Sequence, residues 1–327
     1  MRADPELEPA AIRSARERIH PAFLDAPQYV HDGLSERAGR PVIVKVESVN
    51  PIGAFKGRGT WLALGELARR GTARPDRPIV VASTGNFGQG VAFAGRAFGI
   101  PVTVFADEHA NPTKLDRIRR FGAEVVLAGR DFDAAREASR THARERGALL
   151  LVDGEDPWIA CGAGTMAVEV TDAIERSVLP APSVAYVPVG NGALIVGIGA
   201  WLRHAQPGCR IVGVQAEAAP SMTLSWREGR PIATPTAATF AEGIASRVPV
   251  PEALEMMAGR VDEMTLLSED ELHDAQAELT SALGITVEGA AAASWAALLA
   301  DHEAAGPALV IVTGSNVGRA ADRTSTL

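Results

Sequence analysis

The chain has 327 residues, of which 46% are hydrophobic and 22% charged, with a formal net charge of −8. That length suits two domains better than one core, and the acidic balance argues against a nucleic-acid surface. No apolar run approaches the ~20 residues of a membrane span, the opening "MRADPELEPAAIRSARERIH" has no apolar signal core, and two cysteines, Cys161 and Cys209, are too few for a disulfide framework.

A reducing, cytoplasmic setting is therefore expected, with both thiols as small buried hydrophobes. The seven histidines are scattered with no close Cys/His spacing, so no zinc site is expected.

In chain order, "VIVKVE" (42–47) is the first β-branched run. It leads to "VNPIGAFKGRGT" (49–60), where Lys56 sits among Gly53, Phe55, Gly57 and Gly59. Two readings stand. One is a solvated lysine opening a helix, because Trp61, Leu62, Leu64 and Leu67 recur at helical spacing. The other is a reactive amine that attacks a carbonyl.

Four runs follow, "PIVVAS" (78–83), "PVTVFA" (101–106), "AEVVLA" (123–128) and "ALLLVD" (148–153). Between them lie helical patterns such as "FGQGVAFAGRAFG" and "FDAAREASRTHARERG". Further on come "SVAYVPV" (183–189), "RIVGVQ" (210–215) and "ALVIVT" (308–313). Apolar runs alternating with helices predict parallel sheets covered on both faces. The expected class is α/β, with two domains, each an open, mostly parallel twisted sheet flanked by helices. Residues 77–153 would form the smaller domain, and 1–76 with 154–327 the larger.

Ligands in such folds sit beyond the carboxyl ends of strands, near helix N-termini. Four loops stand out there. "STGNFGQG" (83–90) offers Ser83, Thr84, Gly85 and Asn86, more polar groups than one helix cap needs. A carboxylate pocket fits it. "GAGT" (162–165) is read as a second loop. "VGNGALIVGIG" (189–199) opens a helix on Gly190 and Gly192, which suits a phosphate. A dinucleotide fits it less well, because Ile195 breaks the G-x-G-x-x-G spacing and the next strand ends in Gln215 rather than an acid. "TGSNV" (313–317) puts the Thr313 hydroxyl at a strand end, where it serves a turn or faces a ring nitrogen. An amine, a phosphate cradle, a carboxylate pocket and a neutral hydroxyl together match pyridoxal phosphate.

"NPIGAFKGRG", "STGNFGQGVA", "IACGAGTMAVEV", "VGNGALIVGI" and "TGSNV", in that order, resemble the five motifs of the threonine/serine dehydratase-like group of fold-type II pyridoxal-phosphate enzymes. The resemblance covers roughly residues 10 to 320. It implies pyridoxal 5′-phosphate between the two domains, bound covalently by Lys56 with Phe55 beside it. Asn86 would meet the phenolic oxygen. Gly190, Asn191, Gly192, Ala193 and Leu194 would take the phosphate, and Thr313 the pyridine nitrogen. Ser83, Thr84, Gly85, Asn86 and Phe87 would take the substrate carboxylate.

The implied reaction is elimination of water and ammonia from a β-hydroxy-α-amino acid of the L-threonine/L-serine type, giving a 2-oxo acid. Lys56 and Thr84 are the expected catalytic residues. Lys56 would remove the α-proton, and Thr84 stands where racemising relatives carry a serine. β- or γ-replacement, racemisation, and a non-catalytic cofactor- or nucleotide-binding role are the alternatives.

Three departures from the group's pattern bear on this. Phe87 replaces a histidine, which favours uncharged substrate side chains. Asn191 and Ala193 interrupt an all-glycine loop. Gln215 stands where metal-dependent relatives carry a glutamate, so no metal is expected, although Glu217 is near. The last motif falls close to residue 327, so no C-terminal regulatory domain, and no feedback control by an amino acid, is expected. The implied assembly is a homodimer.

Overall fold

The computed structural model describes residues 4–317. Residues 1–3 and 318–327, assigned above to the larger domain, lie outside the described residues. The strands are β1 Gln28–Val30, β2 Val42–Val46, β3 Ile79–Ala82, β4 Val102–Ala106, β5 Glu124–Leu127, β6 Leu149–Leu150, β7 Val184–Pro188, β8 Arg210–Ala216, β9 Glu263–Leu267 and β10 Ala308–Val312. The α-helices are α1 Pro9–Ala15, α2 Asp32–Ala38, α3 Lys56–Arg69, α4 Asn86–Phe98, α5 Pro112–Arg120, α6 Phe132–Arg146, α7 Pro157–Glu175, α8 Ala193–Ala205, α9 Ser221–Glu228, α10 Pro251–Met257, α11 Glu269–Leu283 and α12 Gly289–Ala300. Of the described residues, one compact unit takes 4–63 and 153–315, and the other takes 64–152 with 316–317. The chain is thus α/β, with one largely parallel sheet in each unit, flanked by helices.

The first unit has a six-stranded sheet in the order β1-β2-β10-β7-β8-β9. Only β1 is antiparallel, pairing Tyr29 with Val44. Strands β2, β7 and β10 are buried along their whole length. Such strands read as continuous apolar runs because both faces are covered. On one face Val42, Val44, Tyr186, Val214 and Val310 pack with Leu279 of α11 and Trp295 of α12. The opposite face meets α7 and α8, where Lys45 of β2 donates to Glu169 of α7.

The second unit has a four-stranded parallel sheet in the order β5-β4-β3-β6. Its core includes Val80, Phe105 and Ala143. In both sheets the chain reverses its direction of winding at one strand. The reversal lies between β3 and β6 in the second unit and between β7 and β10 in the first. Ligands bind beyond the carboxyl ends of strands at such a reversal. The loops opening there are 83–85 after β3, 189–192 after β7, and 313–315 after β10.

Two features differ from the sequence reading. Strands β1 and β9 were not expected. One is a three-residue edge and the other, "EMTLL", has a mixed pattern of burial, so neither carries a clean apolar period. "GAGT" is no loop: it lies inside α7, fully buried. The helix starts earlier because Asp156 caps it, accepting from Trp158 N at 2.8 Å, and Pro157 takes the first turn. The glycines serve contact instead. A Cβ at Gly162 would lie 2.7 Å from the Arg58 carbonyl oxygen, and one at Gly164 2.7 Å from that of Gly197.

Candidate active site

In the first unit, adjacent parallel strands β2, β10 and β7 release three loops at one carboxyl edge. The loop after β2 runs to Lys56. Asn50 builds it, since its Oδ1 accepts from Ile52 N (3.1 Å) and Ala54 N (3.3 Å) while its Nδ2 donates to Glu47 O (2.7 Å). The segment then pairs with the loop after β10. Phe55 N donates to Thr313 O at 3.0 Å, and Ser315 N to Gly53 O at 3.0 Å. Thr313, itself buried, is thereby tied to the neighbour of Lys56.

Lys56 opens α3, as the helical spacing predicts, but it is not solvated. Its side chain is only 14% exposed, and its Nζ donates to Asp153 Oδ2 at 2.6 Å. The ring centroid of Phe55 lies 4.7 Å from Nζ. Asp153 is 13% exposed, and its Oδ1 is buried with no hydrogen-bond partner.

Beneath the start of α3 lies a buried charge cluster. Arg58, fully buried, donates through Nε and Nη2 to the two oxygens of Glu47 at 2.8 and 2.9 Å. Through Nη1 and Nη2 it donates to Glu169 at 2.7 and 2.9 Å. Lys45 completes the set against Glu169, giving two cations and two carboxylates. Burial alone would raise the Glu169 carboxyl, but Arg58 and then Lys45 outweigh it and hold it at about 2. For Arg58 burial likewise opposes the charge, and the two carboxylates outweigh it and raise it further. Two residues from Lys56, this cluster anchors its helix to α7.

The loop after β7 has the shape of an anion cradle. Gly192 has φ +97° and caps α8 with no side-chain hydrogen bond, so no side chain caps the positive end of that helix. A Cβ at Gly190 would sit 2.5 Å from Gly243 O, so only glycine fits there. Asn191 is half-buried, with its Oδ1 3.4 Å from Ser246 Oγ. Ala193 and Leu194 begin α8.

In the second unit, Ser83, Thr84 and Gly85 lead into α4, which starts at Asn86. Gly85 caps it without a side-chain hydrogen bond, while Ser83 Oγ accepts from Gly85 N (3.3 Å) and Gly88 N (3.2 Å). Asn86 Oδ1 accepts from Asn316 Nδ2 at 2.7 Å. Phe87 is buried.

Gln215 is buried in β8, and its Oε1 accepts from Thr223 N and Oγ1 at 2.8 and 2.9 Å. Glu217 is exposed just beyond that strand. Sequence reasoning missed Asp153, Asn316, Asn50 and Arg58. Asp153 closes a run read as a strand, the position where ligands gather, and that signal was available.

The residues fit the cofactor on their own chemistry. A nearly buried primary amine follows β2 and a glycine-lined helix end without a side-chain cap follows β7, two strands of one sheet with β10 between them. A family model described as "Pyridoxal-phosphate dependent enzyme" matches residues 22–314. The chain is 37% identical to an L-threonine ammonia-lyase of Geobacter sulfurreducens, over 94% of this chain and 75% of that one. It is 35% identical to an L-threonine ammonia-lyase of Thermotoga maritima, over 87% and 69%. The solved structure of the processed form of threonine deaminase isoform 2 from Solanum lycopersicum superposes with a TM-score of 0.84 at 26% identity, covering 94% of this chain and 85% of that one. The chain belongs to the pyridoxal-phosphate dependent enzymes, and its cofactor is pyridoxal phosphate.

Proposed function

We propose that the chain eliminates water and ammonia from a β-hydroxy-α-amino acid of the L-threonine/L-serine type and releases a 2-oxo acid. The observation that carries this is the nearly buried amine of Lys56, on the strand edge that also presents the uncapped 190–194 helix start. The identity to two L-threonine ammonia-lyases supports the substrate class.

Lys56 holds the cofactor covalently and moves the α-proton at Cα. Gly190, Asn191, Gly192, Ala193 and Leu194 hold the phosphate with backbone N–H groups and the positive end of α8. Thr313 serves the ring nitrogen as a neutral hydroxyl, Asn86 the phenolic oxygen, and Phe55 packs beside the amine. When bound, the cofactor supplies an electron-withdrawing ring that acidifies Cα. The N-terminus of α4 with Ser83, Thr84, Gly85 and Phe87 takes the substrate carboxylate. Thr84 keeps a hydroxyl near Cα, but its β-branch restricts χ1, which disfavours reprotonation there and hence racemisation. On this reading the larger unit binds the cofactor and the smaller one supplies the substrate-carboxylate loop.

Two buried free cysteines support a reducing, cytoplasmic setting, and among the described residues no helix is long and apolar enough to cross a membrane. The motif resemblance supports a homodimer, which a solution mass measurement checks.

The test is a panel of β-hydroxy amino acids, both enantiomers, with 2-oxo acid and product chirality followed together. L-threonine or L-serine should give 2-oxo acid as the main product. Dominant formation of the D-amino acid, of a β-replacement product, or a preference for 3-hydroxyaspartate would overturn the assignment.

A further inference from the structure

We propose that Asp153 is a positioning residue for Lys56: it is the acceptor that holds the lysine amine whenever that amine is not joined to the cofactor. The inference rests on the function proposed above, because it assigns Asp153 a place in the cycle of that lysine.

Three observations carry it. Lys56 Nζ and Asp153 Oδ2 are 2.6 Å apart, with both side chains at least 86% buried. At that depth an ion pair is screened far less than at the surface. The turn that carries Asp153 is also closely packed. Gly154 behind it has φ +97°, and a Cβ there would lie 2.6 Å from the carbonyl oxygen of Asn191. The turn bearing Asp153 therefore packs on the loop proposed to take the phosphate. Finally, Oδ1 is buried without a partner, an acceptor left open in a place where desolvation is costly. The nearby Asp156 is engaged in capping α7, and Phe55 offers Nζ only a ring face.

The pair acts in two opposite senses. Lys56 reaches the cofactor aldehyde only as a free amine. Attachment therefore requires Nζ to leave Oδ2 and give one proton to solvent; a carbon–nitrogen bond then forms and one water is released. During turnover the released amine takes up the α-proton, and the resulting ammonium returns to a carboxylate already in place. Asp153 thus slows attachment and favours proton uptake. A residue that only supported the fold would help both.

Asp153→Asn separates these. The full-length protein is stripped of cofactor, pyridoxal phosphate is added, and the visible band is followed; kcat and KM for the preferred amino acid are then measured on the loaded protein. The variant should attach cofactor several-fold faster and show kcat lower by about 10- to 100-fold, with KM changed much less. Asp153→Glu, which keeps the charge one methylene further out, should recover part of kcat, and it carries the test if the asparagine variant does not fold. An unchanged kcat, or attachment and turnover falling together, would overturn the proposal. If the wild type releases no 2-oxo acid from any amino acid, the proposed function fails instead, and the attachment rates still decide whether the pair restrains Lys56.

Discussion

Asn316 Nδ2 donates a 2.7 Å hydrogen bond to Asn86 Oδ1, linking the first residue of α4 to the segment after β10, 230 positions away. Arg117 in turn donates to Asn316 Oδ1. The relay fixes the Asn86 amide with its oxygen toward Asn316, so a ligand oxygen would meet the Nδ2 end. Asn316→Ala removes both bonds, of which the one to Asn86 is worth ~1 kcal/mol. We expect kcat to fall about fivefold and the visible band of the bound cofactor to shift. An unaltered spectrum and rate would show that the amide orients itself without Asn316.

Lys56→Ala should abolish the lysine-bound visible band and essentially all 2-oxo acid release, because nucleophile and base are lost together. Borohydride reduction followed by peptide mapping should find the cofactor on Lys56 in the wild type. Turnover by the alanine variant at the wild-type rate would refute the assignment of the amine.

Chelator should change activity by less than about twofold. A hard divalent cation wants carboxylate oxygens, while the Gln215 amide oxygen is engaged by Thr223 and Glu217 is exposed past the strand. A large loss on EDTA treatment, restored by magnesium, would mean that other oxygens build a site.

Arg58→Met leaves Glu47 and Glu169 facing Lys45 alone. Removing one partner from a buried charge cluster costs about 3–5 kcal/mol. The denaturation midpoint should fall accordingly, and the start of α3 should lose its anchor, so that cofactor retention drops with stability. A variant as stable as the wild type would show that the cluster contributes nothing net.

The same cluster predicts the acid limb. The folded carboxyl of Glu169 is depressed to about 2, below the ~4.3 of a free glutamate. Its contribution to stability is therefore complete above the unfolded value and is lost as pH falls from about 4.3 toward 2. Denaturant unfolding across that window should steepen the loss in the wild type. Glu169→Gln, less stable at neutral pH, should show a shallower slope. Parallel slopes would place the acid sensitivity elsewhere.

What was legible in the sequence followed from burial on both faces. Runs such as "VIVKVE" and "ALVIVT" are strands covered on both sides, and their apolar continuity announces them. β1 and β9 are edges, where one partner is missing and the apolar signal lapses. The loops at 83–87 and 190–194 were legible because a strand followed by small polar residues and then a helix is a local pattern. The strand-end place of Asp153 was legible too, but its partner was not, because that partner is Lys56, 97 residues earlier. Nor was the role of Arg58, which depends on Glu169, 111 residues later. "GAGT" was misread because glycine marks a turn and a tight helix contact alike, and only the neighbouring backbone tells them apart.

That tight contact sets where this enzyme can be re-engineered. At Gly162 and Gly164 the facing groups are main-chain atoms of Arg58 and Gly197, which cannot rotate aside as a side chain would. A library that varies these positions would mostly sample a displaced α3 at Gly162, and so a misaimed amine, or a displaced α8 at Gly164, whatever the substrate offered. One confined to residues 83–87 would vary a half-buried loop and the buried Phe87 and leave that alignment intact. On the proposed assignment of residues 83–87 to the substrate carboxylate, changes of substrate preference are best sought in the second unit, with the glycine seams of the first held constant.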